Sequence, residues 1–215
     1  MIRCAKQAGV LPLILALAAC SDSPQRPAPA VARAPVEQAL PATPAPSADK
    51  GDPDARFKAA LQLMKDKKRP EAQAAFAQLA ADFPEYSGPL TDLGILFAQA
   101  KHREAALSSL SKAVAANPKN AIAQNWLGIV YRESGDYARA EQAYRSALTV
   151  RPDYAPAHLN LGILYDVCLK RPQEALEQYH EYQRDAGGDR PMVAVWIKEL
   201  EAGNAPMTAS RGGGP

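Results

Sequence analysis

The fold is decided by residues 121–154, which read AIAQNWLGIVYRESGDYARAEQAYRSALTVRPDY. Gly128, Ala140 and Pro152 of this stretch each have a counterpart 34 residues earlier. The same spacing extends in both directions and gives three sets: Gly94, Gly128 and Gly162; Ala72, Ala106 and Ala140; Pro84, Pro118 and Pro152. A fixed period of this length indicates that one supersecondary unit is repeated along the chain.

Each recurring residue has a physical role in a helical unit. Glycine and alanine allow two helices to approach closely, and a large side chain four residues after each alanine fills the remaining gap. A proline ends the second helix because it lacks the amide hydrogen and clashes with the preceding turn. Asn120 follows one such proline and is predicted to cap the next helix. The chain is 47% hydrophobic with only 4 Phe and 2 Trp, which favours closely spaced helices with small side chains.

This pattern resembles the tetratricopeptide repeat, a helix-turn-helix unit of 34 residues. In that family the first helix carries Leu-Gly-x-x-aromatic, here Leu127, Gly128 and Tyr131, and Gly135-Asp136-Tyr137 is the usual link to the second helix. The resemblance implies an all-α fold, a right-handed TPR superhelix of about four repeats with a C-terminal capping helix. The predicted repeats are 53–86, 87–120, 121–154 and 155–188.

The fourth repeat departs from the pattern. It needs one extra residue between Tyr165 and Ala175, so the turn at residues 168–172 is predicted to be irregular. A capping helix is predicted over 189–202, with Val193, Trp196, Ile197 and Leu200 on one face. Residues 203–215 are rich in glycine and are predicted to be disordered.

The family's ligand groove lies on the concave face, which the first helix of each repeat lines. The positions that commonly face it fall in two groups here. An apolar row is predicted from Ile95, Ile129 and Ile163. Flanking positions are Thr91, Asn125, Leu159, Arg132 and Asp166. We expect this groove to bind an extended segment or an amphipathic helix, unless neighbouring side chains or the tail cover it.

The first nineteen residues read as a targeting signal. Arg3 and Lys6 precede a short apolar run, residues 10–19, which is far below the ~20 residues that span a bilayer. The run ends in Leu17-Ala18-Ala19-Cys20, which resembles the lipobox of bacterial lipoproteins. That resemblance implies cleavage before Cys20 and lipidation of its thiol. Ser21, where an Asp would favour inner-membrane retention, favours the outer membrane facing the periplasm.

Residues 20–52 are predicted to be a tether that starts at the lipidated cysteine. Residues 21–52 contain seven Pro and eight Ala and too few large apolar groups to offset the entropy of folding. Proline biases such a segment toward extended geometry, which gives a reach of roughly 100 Å at ~3.1 Å per residue.

Charge and cysteine content exclude several classes. The signal holds two of the 25 basic residues and none of the 23 acidic ones, so the remainder is neutral and gives no case for nucleic-acid binding. His102, His158 and His180 form no metal-binding pair by spacing, and Cys168 is interpreted as a lone structural thiol. No metal, cofactor, small-molecule substrate or enzymatic activity is predicted.

The sequence therefore predicts a scaffold that binds a protein partner and is held to a membrane by lipid at Cys20. By analogy with small lipoproteins that have the same repeat architecture, the first candidate role is pilus or secretin biogenesis. The alternatives are an adaptor for peptidoglycan hydrolases or other envelope-maintenance proteins, and a periplasmic chaperone-like holder. A homodimer is a further candidate. The turns between paired helices are basic and are either a surface for an acidic partner or merely solvated. Their residues are Lys65, Lys67, Lys68 and Arg69; Lys101, His102 and Arg103; and Lys170 and Arg171.

Overall fold

The computed structural model describes residues 44–187 and 190–203. The predicted signal peptide, Cys20, most of the tether and residues 204–215 of the predicted tail lie outside the described residues. Within them the chain is helical, and the α-helices are α1 (Pro53–Lys65), α2 (Arg69–Asp82), α3 (Ser87–Gln99), α4 (Arg103–Ala116), α5 (Ala121–Ser134), α6 (Tyr137–Val150), α7 (Ala155–Ile163), α8 (Pro172–Asp185) and α9 (Pro191–Gly203).

Consecutive helices form four hairpins: α1 with α2, α3 with α4, α5 with α6, and α7 with α8. The second helix of each hairpin also packs on the first helix of the next, so the hairpins stack in chain order. The predicted all-α TPR fold is confirmed. No described helix is long and apolar enough to cross a membrane.

The recurring glycines are sites of close helix approach, as the spacing predicts. A Cβ atom on Gly94 would lie 2.6 Å from Leu110 Cγ, and one on Gly128 would lie 2.4 Å from the Tyr144 ring. Gly162 has the same relation to Tyr179, at 2.6 Å. The large residues thus lie directly against the glycines, where no other residue type fits without displacing them.

The turn between paired helices contains one residue with positive φ in every hairpin. Gly135 adopts φ 82° there, whereas Lys67 and Lys101 adopt 61° and 63°. Lys170 takes the same position in the fourth hairpin, with φ 56°. Left-handed backbone is easy for glycine and strained for lysine, so the third hairpin has the least strained of these turns.

The extra residue of the fourth repeat is absorbed by a π-helical segment, Leu164–Leu169, which continues directly from α7. A π-helical turn takes one more residue than an α-turn between the same two ends. The insertion therefore stays local, and Tyr179 still reaches Gly162 as its counterparts do in the preceding hairpins.

Helix ends follow the predicted signals. The Asn120 side chain accepts a hydrogen bond from the Ala123 amide at 2.9 Å and caps α5. Helix α9 lies where the capping helix is predicted, although it ends at Gly203, one residue inside the predicted tail. Val193 and Ile197 are buried, and the Trp196 ring lies 5.6 Å from that of Tyr179.

Candidate functional site

The predicted groove residues divide into two groups by exposure. Ile95, Ile129, Leu159 and Asp166 are half-buried on the first helices and the π-helical segment. Helix α5 contacts both α3 and α7, so these residues lie on neighbouring first helices. A partner could touch these four side chains in the structure as it stands.

The other four predicted groove residues are buried. Ile163 is 6% exposed, and Thr91, Asn125 and Arg132 are 5%, 3% and 9% exposed. Contact between any of the eight and a partner stays a prediction, but the buried four already have internal neighbours.

Thr91 belongs to a polar network between the second and third hairpins. Its hydroxyl donates to the Ser87 carbonyl at 2.8 Å and accepts from Asn120 Nδ2 at 2.8 Å. Asn120 Nδ2 also donates to the Ser87 hydroxyl. The network therefore fixes the start of α5 on α3.

Asn125 and Arg132 also make contacts within the chain. Asn125 Oδ1 accepts from Asn160 Nδ2 at 3.0 Å, which joins α5 to α7. Arg132 Nε donates to the Tyr144 hydroxyl at 3.4 Å, and burial raises the pKa of Tyr144 to about 12. The partners of both residues lie on other helices, so the repeat pattern of a single helix does not reveal them. For this reason the sequence suggested contact with a ligand for both residues.

The basic turns form solvent-exposed points at one end of the hairpins. Lys101 Nζ pairs with Glu133 Oε2 at 2.9 Å across neighbouring hairpins, and both side chains are exposed. Exposed pairs of this kind contribute little stability, about 0–1 kcal/mol.

A second surface, which sequence reasoning missed, lies between the second helices. The α2–α4 groove encloses about 720 Å³. Buried Leu90, Leu93 and Phe97 contribute to its lining, while Ala74 and Ser108 are exposed within it. In the sequence, this groove is indicated only by the row of small residues on α2, and such a row is equally typical of two helices that pack closely.

The segment that precedes α1 is held by hydrogen bonds at one end of this groove. The Ser47 amide donates to Asp82 Oδ1, and the Ser47 hydroxyl donates to Oδ2 at 3.0 Å. Arg56 Nη1 lies 2.6 Å from the same Oδ2. Burial by itself would raise the pKa of Asp82, but these bonds hold it well below its usual range. Gln78 Nε2 donates to the Ala45 carbonyl at 2.8 Å, and Pro44 lines the groove.

The corresponding α6–α8 groove is smaller, about 440 Å³, and polar. The Arg145 guanidinium lies in it and donates to the Tyr165 hydroxyl at 2.9 Å. His158 is buried here; its Nε2 donates to the Pro152 carbonyl at 2.8 Å, and its Nδ1 lies 2.9 Å from the Gln178 side-chain amide.

His158, Glu181 and Asp185 offer ligand atoms within 4.8 Å of one another and could in principle hold a metal ion. Asp185 Oδ2 is buried and lies 3.5 Å from His158 Nε2. However, Nε2 already bonds Pro152, and Glu181 pairs with Arg184. The contacts of His158 with Asp185 and Gln178 join α7 to α8.

Cys168 is half-buried and disulfide-bonded. Its interpretation as a lone structural thiol is therefore wrong.

Stacked helical hairpins with a capping helix and exposed faces on both helix layers define a helical-repeat scaffold. Profiles of the tetratricopeptide repeat match residues 54–86, 91–155 and 128–190, which together are more than half of the chain. The chain belongs to the tetratricopeptide-repeat family. Proteins of this family are generally interaction scaffolds, not enzymes.

Solved structures share the fold. PilF of Pseudomonas aeruginosa is 22% identical, with a TM-score of 0.63 over 70% of this chain and 68% of that one. MamA is 22% identical, with a TM-score of 0.57 over 65% and 81%. A thermophilic TPR protein of Thermus thermophilus is 21% identical, with a TM-score of 0.57 over 71% and 82%. At these identities the likeness concerns the fold.

Proposed function

We propose that this chain is a non-enzymatic scaffold, anchored by lipid at Cys20, that binds a protein partner in the cell envelope through its first-helix face. The observation that carries the proposal is the half-buried apolar pair Ile95 and Ile129, placed one repeat apart on contacting helices. An apolar row of this kind suits an amphipathic helix or an extended segment.

The buried polar residues support the same surface indirectly. Thr91 bonds Asn120 at the start of α5, and Asn125 bonds Asn160 on α7, so these bonds link neighbouring first helices. Arg132 bonds Tyr144 and so links α5 to α6. The half-buried contact positions therefore sit on a rigid support, which reduces the entropy lost on binding. The partner would meet Ile95, Ile129, Leu159 and Asp166 first.

Affinity capture from the native envelope after cross-linking tests this surface. Ile129→Glu should abolish capture, because a carboxylate at the centre of an apolar contact would be desolvated. Ile122→Glu lies two turns away on α5 at a site that is 39% exposed, so it probes the same helix with little risk to the core. Val150→Glu, at a 36% exposed site on α6, is the matched control.

The results have clear meanings once circular dichroism shows native helicity. Loss of capture in both α5 variants but not in Val150→Glu supports the first-helix face. Equal capture by all variants contradicts it.

The partner's identity separates the pathways. Capture of a secretin, whose multimers then depend on this protein, supports a role in type IV or related pilus biogenesis, the analogy that the shared fold with PilF favours. Capture of peptidoglycan hydrolases supports the envelope-maintenance alternative. Many weak clients, unaffected by Ile129→Glu, support a chaperone-like holder. Light scattering of the purified protein tests the homodimer.

Lipid anchoring is tested by Cys20→Ala. The unaltered protein should partition with the outer membrane at high salt, because several acyl chains, at ~0.8 kcal/mol per buried methylene, make a stable anchor. Cys20→Ala should release it to the soluble fraction, and continued membrane partitioning contradicts the anchor.

Intact mass under non-reducing conditions adds a second readout. A processed chain has the mass of residues 20–215 plus lipid. An unprocessed chain keeps its full mass and overturns the anchor.

A further inference from the structure

The chain before α1 already follows the α2–α4 groove. Ser47 bonds Asp82 at the C-terminal end of α2, and Ala45 bonds Gln78 one turn nearer the N-terminus of that helix. Pro44, the first described residue, itself lines the groove. From Ser47 to Pro44 the described chain therefore heads along α2 in the direction of Pro70.

The remaining length of the groove matches a short piece of chain. Gln78 and Pro70 are eight residues apart on α2, or about 12 Å at 1.5 Å per residue. An extended proline-rich segment rises ~3.1 Å per residue, so about four residues cover this distance. Those residues are 40–43, which read Leu-Pro-Ala-Thr.

Groove and segment also match in chemistry. The walls are mainly alanine and proline over the side chains of Leu93 and Phe97, while Gln73 and Lys112 stand at the rim. Leu40 is the only leucine among residues 21–52, and it would fall toward the Pro70 end of the groove. A segment with polyproline geometry loses little entropy on docking in such an apolar groove.

Charge continues the match beyond Pro70. Glu37 precedes Leu40 by three residues, which is about 9 Å in extended chain. It would then lie beside the turn that carries Lys67, Lys68 and Arg69, all of them exposed. Glu37 is the only acidic residue between Asp22 and Asp49.

We propose that residues 36–43 occupy the α2–α4 groove of their own chain, with Leu40 as the apolar anchor and Glu37 beside the basic turn. The segment assigned from sequence to the tether is then partly a strap, and the free linker ends near residue 35. This inference does not depend on the first-helix face or on lipidation, since it concerns contacts within one chain.

Cleavage after Glu37 by a glutamate-specific protease tests the strap on the full chain. The unaltered chain should be cut there about ten-fold more slowly than a variant in which the strap is released, because docked backbone must open before it is cut. Leu40→Asp should release it, whereas Val31→Asp, outside the proposed contact, should leave the rate unchanged.

A second pair of variants acts on the groove and leaves the segment intact. Ala74 is exposed within the groove, so Ala74→Arg should block docking without disturbing the core. Ala138→Arg, at an exposed alanine on α6, is its control. Acceleration by Leu40→Asp and Ala74→Arg alone supports the strap.

Three results would overturn it. The first is cleavage of the unaltered chain as fast as that of Leu40→Asp. The second is equal rates for Ala74→Arg and Ala138→Arg in proteins of equal helicity. The third is protection that disappears on dilution, which would mean that a second copy supplies the segment.

Discussion

The α2–α4 and α6–α8 grooves occupy equivalent places two repeats apart, yet one is open and apolar and the other is small and polar. Ala77 of the first corresponds to Arg145 of the second, whose guanidinium reaches across to the Tyr165 hydroxyl. Phe97, the counterpart of Tyr165, has no hydroxyl to offer. The Arg145 side chain thus fills space that stays open beside Ala77, and Leu148 likewise stands where the first groove has Ala80.

A second pair of positions explains the difference in polarity. Leu90 in the first groove corresponds to His158 in the second, and Ala105 corresponds to Glu174 once the extra residue is allowed for. Leu93 and Leu161 are the same at equivalent floor positions, whereas Ser108 and Ser109 of the first groove correspond to Glu177 and Gln178 of the second. The scaffold therefore sets where a groove forms, and a few side chains decide whether anything can enter it.

Exchanging Leu90 and His158, which lie at equivalent positions of the two grooves, should change the free energy of unfolding more than any other change considered below. His158→Leu removes the bond to the Pro152 carbonyl and leaves the buried Asp185 carboxylate beside an apolar group. We expect a loss of about 2–4 kcal/mol in the free energy of unfolding, measured by urea denaturation. Leu90→His should lose about 2–3 kcal/mol, because the apolar groove lacks the Gln178 and Asp185 contacts. Losses below about 0.5 kcal/mol in both would show that the two floors are interchangeable.

Asp92 provides a pH-dependent difference between the halves, since its counterpart two repeats on is Asn160. Burial raises the pKa of Asp92 from 3.8 to about 6. The folded state thus holds this proton more tightly than the unfolded state, so its contribution is complete below pH 4 and is lost as the pH rises through about 6. Asp92→Asn should stabilise by about 1 kcal/mol at pH 7.5 and by almost nothing at pH 4. Equal effects at the two pH values would contradict a titrating role.

Backbone strain in the turns between paired helices should have the smallest effect on the free energy of unfolding. Lys67→Gly places glycine at φ 61°, as Gly135 already does in the third hairpin. Relief of left-handed strain, offset by the greater freedom of glycine in the unfolded chain, should stabilise by about 0.5 kcal/mol. Gly135→Lys is the reciprocal change and should destabilise by a similar amount in the same denaturation assay. Destabilisation by Lys67→Gly would show that the lysine side chain makes a contact that matters more than the strain.

The fold could be predicted from sequence because its determinants are local and periodic. The 34-residue spacing of Gly94, Gly128 and Gly162 predicts their contacts with large residues on the following helix, and the structure confirms those contacts. The extra residue in the fourth repeat could be counted, but its π-helical form could not, because an insertion can also be absorbed by a longer turn.

The candidate site depends on contacts between helices that the sequence does not display. Thr91 on α3 and Asn125 on α5 both fall at groove positions of the repeat, but Asn120 at the start of α5 and Asn160 on α7 bond to their polar atoms. The α2–α4 groove escaped prediction for a related reason. The groove is open because Ala77 has only a small side chain in its wall. In a sequence, an alanine that packs against a neighbouring helix looks the same as an alanine that leaves an open space.

The attachment of Ser47 and Ala45 to α2 has a mechanical consequence. A pull on the N-terminus would reach Asp82 and Gln78 before it reached α1. Because this piece of chain runs alongside α2, the pull would load its hydrogen bonds in shear, so they must fail together and not one after another. The hairpin of α1 and α2 is thereby shielded from being peeled open from its first residue whenever the domain and whatever holds its N-terminus are drawn apart.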